Sequence, residues 1–354
     1  MNPFFSSTSP DRITCDTTTL ARFTKQMSVL LHAGVPLHEA LDTLSLHQID
    51  DLSTYILPEL FKKITHGHKL SHAMSVYPRT FPNTYIALIK VGEETGGLQN
   101  VMDSLAEWLE TQDKIERYIK KALTYPTFVV VLASLMTLIL FQTVIPEILK
   151  TVVELGAELP VPTKILMALV AIVKQPIFWV LALLAAAVIV QYLRQPQGLR
   201  TLILFFQTMP VTGPILEYAG GCRYANTLAM LLDSGVDIMR SCAISGEASG
   251  NPLIQSDSKR VLRDLREGRH LGEILAGAPY YPSLLVDMTR VGDETGEMAD
   301  LLSKVTGLLE EETMHRLNIF IGLLEPVVLA GVSLMVGCVL IAILLPMANL
   351  ITAL

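Results

Sequence analysis

The sequence predicts an all-α protein: two homologous six-helix-bundle-type cytoplasmic domains plus three transmembrane helices. Three observations lead there. The first is an internal repeat, in which Val91-Gly92-Glu93-Glu94-Thr95-Gly96-Gly97-Leu98 returns as Val291-Gly292-Asp293-Glu294-Thr295-Gly296-Glu297-Met298. Around it, Arg22-Phe23 matches Arg223-Tyr224, Leu30-Leu31-x-x-Gly34-Val35 matches Leu231-Leu232-x-x-Gly235-Val236, and Gly67-x-x-Leu70 matches Gly268-x-x-Leu271. Pro126 likewise matches Pro326, and Pro146 matches Pro346, with the offset always 200 or 201. The second observation is hydropathy. The chain is 51% hydrophobic and 17% charged, against about 25% charged in soluble domains. Residues 122–146 and 326–354 carry no charge, each longer than the ~20 residues that cross a bilayer as helix. The third is periodicity: apolar residues recur at spacings of three and four, and no alternating strand pattern or Asn-Gly hairpin competes.

Element by element, residues 1–16 read as a polar tail without a secretory signal pattern. A first domain spans residues 17–121. Thr17, Thr18 and Thr19 offer N-caps to a helix carrying Leu20, Phe23, Met27, Leu30 and Leu31, with Gly34 just past its end. Pro36 opens the next helix in its first turn, placing Leu37, Ala40, Leu41 and Leu44 on one face. A third helix over residues 52–65 stops at Gly67, and a short one over 70–74 ends before Pro78. A helix near 83–91, the glycine turn and a long helix from Leu98 to Lys121 complete six.

The first crossing is residues 122–145, followed by an external loop over 146–174 with Glu147, Glu154, Glu158 and a Pro160-Val161-Pro162 break. Residues 175–193 return through the membrane. Residues 194–218 form a proline-broken interfacial connector. The second domain, residues 219–318, repeats the first, with Asp237 in place of Pro36 as the helix-start signal. The third crossing is 319–346 and the external tail 347–354. Arg117, Lys120 and Lys121 precede the first crossing, Arg194 and Arg200 follow the second, and Arg316 precedes the third. By the positive-inside rule both domains are cytoplasmic, with the 146–174 loop and the C-terminus outside.

Composition excludes several functions. A net charge of −7 and pI near 5.6 give nucleic-acid binding no electrostatic support. Cys15, Cys222, Cys242 and Cys338 are scattered, without a C-x-x-C pair, so no disulfide framework or zinc site is read, and a reducing compartment suits the first three. There is no Walker A loop, G-x-G-x-x-G or G-x-S-x-G motif, and no catalytic constellation. His32, His38, His47, His66, His68 and His72 lie close together. His68 and His72 are i, i+4, but Lys-Leu-Ser between them is not the zinc-protease pattern, so the cluster reads as a solvated face. The crossings hold no ionisable residue in their centres, unlike proton-coupled transporters and intramembrane proteases. Ser333 and Gly337 give the third a small-xxx-small spacing for helix packing.

In the octet, a helix ending at Gly92 and another starting near Leu98 need positive-φ positions, which Gly92, Gly96 and Gly97 supply. Thr95 caps the second helix, and Glu93 and Glu94 lie near its positive end. Gly292, Asp293, Thr295 and Gly296 repeat the arrangement. The functional alternative is that Glu93 and Glu94 present paired carboxylates to a cation or a basic partner. Two acids fall short of the 6–8 oxygens calcium takes, so no metal is assigned. Glu325, before Pro326 at the start of the third crossing, either snorkels to the interface or contacts another helix, such as a client's.

Phe23-x-x-Gln26-Met27-x-x-Leu30-Leu31-x-x-Gly34-Val35-Pro36-Leu37 resembles the opening of a known family. This is the inner-membrane platform family of type II secretion (general secretion pathway protein F) and type IV pilus assembly (pilus assembly protein C). Val91-Gly92-Glu93-x-Thr95-Gly96-x-Leu98, Pro210-Val211-x-Gly213 and Glu325-Pro326 resemble it too, over residues 20–348 in order. The chain departs from the pattern at Asp293, Met298 and Asp237. The resemblance implies a non-enzymatic, multi-pass protein of the bacterial inner membrane. Its partners would be a cytoplasmic hexameric ATPase, pilin-like or pseudopilin subunits, other inner-membrane components, membrane lipid and further copies of itself. It implies no organic cofactor and leaves a calcium ion in the first domain open, with Glu93 and Glu94 as its candidate carboxylates. The alternative is an oligomeric membrane transporter or channel with regulatory helical domains.

Overall fold

The computed structural model describes residues 15–46, 50–154, 175–193 and 195–353. Among them every regular element is a helix. The first copy contains α1 (Thr17–His32), α2 (Leu37–Ser45), a π-helical turn over Leu52–Ile56 running into α3 (Leu57–Thr65), α4 (Leu70–Met74), α5 (Asn83–Thr95) and α6 (Leu98–Glu154). Then come α7 (Pro176–Leu193) and α8 (Pro196–Gln207). The second copy contains α9 (Thr212–Asp233), α10 (Ile238–Ala248), α11 (Pro252–Arg266), α12 (Leu271–Ala276), α13 (Ser283–Thr295) and α14 (Met298–Ala353). The predicted six helices per copy are therefore present in order.

Two compact units result. One takes in the described residues up to Tyr118 together with Phe206–Arg316, so it holds the short helices of both copies and the starts of α6 and α14. The other takes in the described residues within Ile119–Phe205 and from Leu317 onward. In the first copy Met27, Leu41, Ile56, Leu60, Leu70, Phe81 and Tyr85 are fully buried. At about 1.5–3 kcal/mol for each large apolar side chain removed from water, this core explains why such short helices persist. Met230 and Leu231 of α9 join the same cluster, and Val236 and Ile244 pack against it. The second copy has its own core, built on Tyr224, Leu228, Ile254, Leu271, Ile274, Leu285 and Leu302.

The matching cores differ in polarity. Phe23 and Phe81 meet edge to face at 6.2 Å, and Tyr224 and Tyr281 at 5.7 Å. The second pair carries hydroxyls: that of Tyr281 bonds to Asp257 Oδ2 at 3.3 Å, and Arg260 grips Asp257 with two bonds of 2.6 and 2.7 Å.

Several predicted boundaries move. Asp16, not a threonine, caps α1, because its carboxylate accepts the Thr19 amide at 3.0 Å. Pro36 occupies the N-cap of α2 with extended ψ, one position earlier than expected. Asp237 caps α10 as expected, accepting from the Arg240 amide. α4 ends at Met74 with Ser75 as its C-cap, ahead of Pro78. α8 and α9 take up most of the proline-broken connector, with a turn over residues 208–211 between them.

The largest change concerns the long helices. α6 runs 57 residues without stopping at Pro126 or Pro146, and α14 runs 56 residues through Pro326 and Pro346. Proline removes one amide donor and crowds the carbonyl four residues back, but long apolar helices accommodate this locally. The loop expected from residue 146 is therefore helical as far as Glu154, and the tail after 346 is helical to Ala353. Glu158 and the Pro160-Val161-Pro162 break lie outside the described residues, as do His47 and Arg194. Among the described residues two helices are long and apolar enough to cross a membrane, over Leu98–Thr137 and Met298–Gly337. In the second unit Phe128, Met136, Val327 and Leu334 are 58–71% exposed, the outward apolar surface that lipid suits. α7 is a helix over the expected second crossing.

Candidate functional site

The repeated octet forms one geometry twice. α5 and α13 continue past the expected end at Gly92 and Gly292 to Thr95 and Thr295, and each closes on a left-handed glycine, Gly96 (φ +72°) or Gly296 (φ +79°). Gly92 and Gly292 are helical and do other work. A Cβ there would stand 3.0 Å from the Cα of Leu98 or Met298, the first residue of each long helix. Glycine lets the long helix start directly against the helix before it. Thr95 and Thr295 serve the helix that ends, their hydroxyls donating to the carbonyls of Val91 (3.0 Å) and Val291 (2.9 Å). The same oxygens lie 3.4 Å from the amides of Gly97 and Glu297.

The carboxylates are not a pair. Glu93 Oε1 accepts the amide of Leu70, and Oε2 accepts the amide (3.3 Å) and hydroxyl of Ser71. These are the first residues of α4, whose N-cap position is Lys69, a side chain with no acceptor. Glu93 thus caps α4 from 22 residues away, where orphan amides and the helix dipole both favour a negative charge. Asp293 does the same for α12, whose N-cap is His270 without a side-chain bond: Oδ2 accepts the Gly272 amide at 2.7 Å. The shorter acid goes with closer helices, since a Cβ on Gly272 would fall 2.6 Å from the backbone of Arg290 in α13. Ser71 with Glu93, and Gly272 with Asp293, are two solutions of one packing problem.

Glu94 turns the other way. Its Oε2 accepts from Arg240 Nη1 at 2.9 Å, joining α5 of the first copy to α10 of the second, with Lys90 at 4.0 Å. The hydrogen bond from Arg240, aided by the charges of Arg240, Lys90 and Lys69, holds the Glu94 carboxyl below the usual carboxylate range. Among the described residues no three His, Cys, Asp or Glu side chains gather as metal ligands.

Gly34-Val35 and Gly235-Val236 also superpose in role. The glycine amides reach Leu31 and Leu232 O, and the valine amides reach Leu30 and Leu231 O, all at 3.0 Å, closing α1 and α9 as a Schellman turn does. Both valines pack against the first-copy core. Glu325 is exposed inside α14, next to Pro326. Cys15, Cys222 and Cys242 are free thiols, and burial pushes each up to about 12.

Sequence reasoning missed Ser71, Gly272 and Arg240. The exchange of Ser71 for Gly272 beside that of Glu93 for Asp293 was the available signal for the first two. Arg240 has none, because its contact depends on how the copies dock.

Comparison with known proteins follows the repeat. Residues 23–146 and residues 224–346 each match the family described as type II secretion system (T2SS), protein F. The chain is 29% identical over 330 residues to the type IV pilus assembly protein PilC of Myxococcus xanthus (strain DK1622), covering 93% of this chain and 79% of that one. It is 27% identical over 337 residues to PilC of Pseudomonas aeruginosa, covering 94% and 89%. It is also 27% identical over 335 residues to the type II secretion system protein F of the same organism, covering 94% and 82%. With one match on each copy and most of the chain covered, the protein belongs to the type II secretion system protein F family.

Proposed function

We propose that the chain is a non-enzymatic inner-membrane platform that couples a cytoplasmic hexameric ATPase to extraction and polymerisation of pilin-like subunits. The machine is of the type II secretion, type IV pilus or DNA-uptake kind. The observation that carries this reading is that α6 and α14 each begin in the packed helical unit and continue as the apolar segment. A helix propagates rotation and translation along its axis, so a force on the packed unit reaches the apolar helices with no intervening loop. The names of the relatives, pilus assembly and type II secretion, agree with such work. No cofactor is needed, because the partner hydrolyses the nucleotide.

On this reading α6, α7 and α14 make three crossings, the N-terminus and both helical domains are cytoplasmic, the C-terminus is periplasmic, and the protein works as a homo-oligomer. Alkaline phosphatase fused within residues 155–174 or after Leu354 is then active, and fused after Tyr118 or Arg316 it is inactive. The platform role is tested by purifying the protein in detergent from its own cells. Co-purification of an assembly ATPase and a pilin-like subunit is expected, along with loss of filaments or secretion on deletion. Recovery of neither partner, or solute flux through proteoliposomes of the protein alone, would move the reading to a transporter or channel.

A further inference from the structure

Residues 60–92 contain five lysines and arginines, three histidines and no carboxylate, in a chain whose net charge is −7. The matching window of the second copy, residues 261–292, has four arginines balanced by four acids. There Arg263 and Arg269 both pair with Asp264, and Arg260, just ahead of the window, pairs with Asp257. In the first copy the positive charge is left open to solvent. Lys69 and Arg79 are exposed, and no ion pair to them or to Lys63 forms among the described residues. Of the acids flanking this stretch, Glu59 pairs with Lys62 at 2.7 Å, Glu93 caps α4, and Glu94 bonds to Arg240 and feels Lys69 without pairing with it.

We propose that this face, formed by the end of α3, the turn into α4 and the turn before α5, is a docking surface for an acidic patch on a protein partner. The observations favour a protein over a membrane. Lys63 is held over the Tyr77 ring at 5.3 Å, a fixed charge position that selects a complementary pattern. The large apolar side chains Leu60, Leu70 and Met74 are fully buried. Val76 apart, the face has no apolar anchor of the kind interfacial helices insert. The face is also confined to one copy, so duplication has yielded one charged and one neutralised version of the same turn. On the platform reading above, the acidic partner is the cytoplasmic motor.

The test uses the full chain in detergent, with Lys63, Lys69 and Arg79 changed together to glutamate, or to alanine as a milder set. The control is Lys259→Glu with Arg266→Glu in the second copy, and melting curves establish that each variant folds. The probes are a fluorescent poly-glutamate peptide, phosphatidylglycerol vesicles and the co-purifying ATPase. Peptide affinity is expected to fall about tenfold in the first-copy reversal, as a few exposed charge pairs supply, less with alanine, and to hold in the control. ATPase capture should fall with it. Equal peptide binding by both reversals overturns the proposal, as does vesicle binding that the peptide cannot displace. Capture of the ATPase undiminished by the reversal overturns the docking surface and leaves the platform reading standing. Peptide binding lost on reversal, with no ATPase captured by any form, supports the surface and counts against the motor.

Discussion

Glu93 and Asp293 perform a backbone task that their neighbours cannot. Lys69 and His270 stand where a capping acceptor belongs, and the acid arrives instead from the end of another helix. Glu93→Ala should therefore lower stability by about 1–2 kcal/mol, the usual worth of an N-cap, read as a shift of the urea midpoint at unchanged slope. An unchanged midpoint would mean that water caps α4 equally well. The partner positions should respond unequally. Gly272→Ser brings a Cβ to 2.6 Å from Arg290 backbone and should cost roughly 1–3 kcal/mol by overpacking. Ser71→Gly loses one hydrogen bond and gains backbone freedom, at about 1 kcal/mol. Equal costs in the two variants would refute the account of why the acids differ in length. Glu93 was read from the octet as a charge near the following helix; its true partners lie 22 and 23 residues earlier, which local spacing does not encode.

At the scale of elements, type and order were legible because 3.6-residue periodicity, glycine stops and uncharged runs are all local properties. Places where helices fail to end were not legible. The first and third crossings were expected to end at residues 145 and 346, beside Pro146 and at Pro346, yet α6 and α14 pass through both. A proline signal measures what is lost at one residue, whereas helix continuity reflects the whole surrounding apolar run. The contact of α5 with α10 is equally non-local, and it titrates. Glu94 is held below the usual carboxylate range by Arg240, so the folded form binds its proton less readily than the unfolded chain. The link is intact at neutral pH, persists through the ordinary carboxylate range near pH ~4.3, and is lost only as pH falls below it. Glu94 carboxyl chemical shifts followed through an acid titration should show this, and Arg240→Ala should raise the midpoint toward the ordinary value. An identical midpoint in the variant would place the contact's energetic effect at zero.

For the whole molecule, the two copies are homologous but not interchangeable. Met230 is 7% exposed and Leu231 1%, both within the first-copy core, whereas Val29, the counterpart of Met230, is 57% exposed. Leu231→Ala should cost about 2–5 kcal/mol, and Leu30→Ala, at the matching but only partly buried position, distinctly less. Similar melting shifts for the two would show the copies to be energetically equivalent. The repeat itself was plain from the sequence, but its asymmetry was not, because identical helices say nothing about which of their faces meet.

The exchange of Ser71 with Glu93 for Gly272 with Asp293 has a consequence for inheritance. After a duplication each copy is free to drift, but here two positions 22 residues apart in one copy, and 21 in the other, form a single lock. A change at either alone costs the short helix its cap or a hydrogen bond, or crowds its backbone. Intermediates between the two forms are penalised, and the pair must move together. Recombination that exchanges only part of one copy for the other would break the match. The duplicated halves are thus shielded from being averaged back into each other, and their divergence becomes a ratchet.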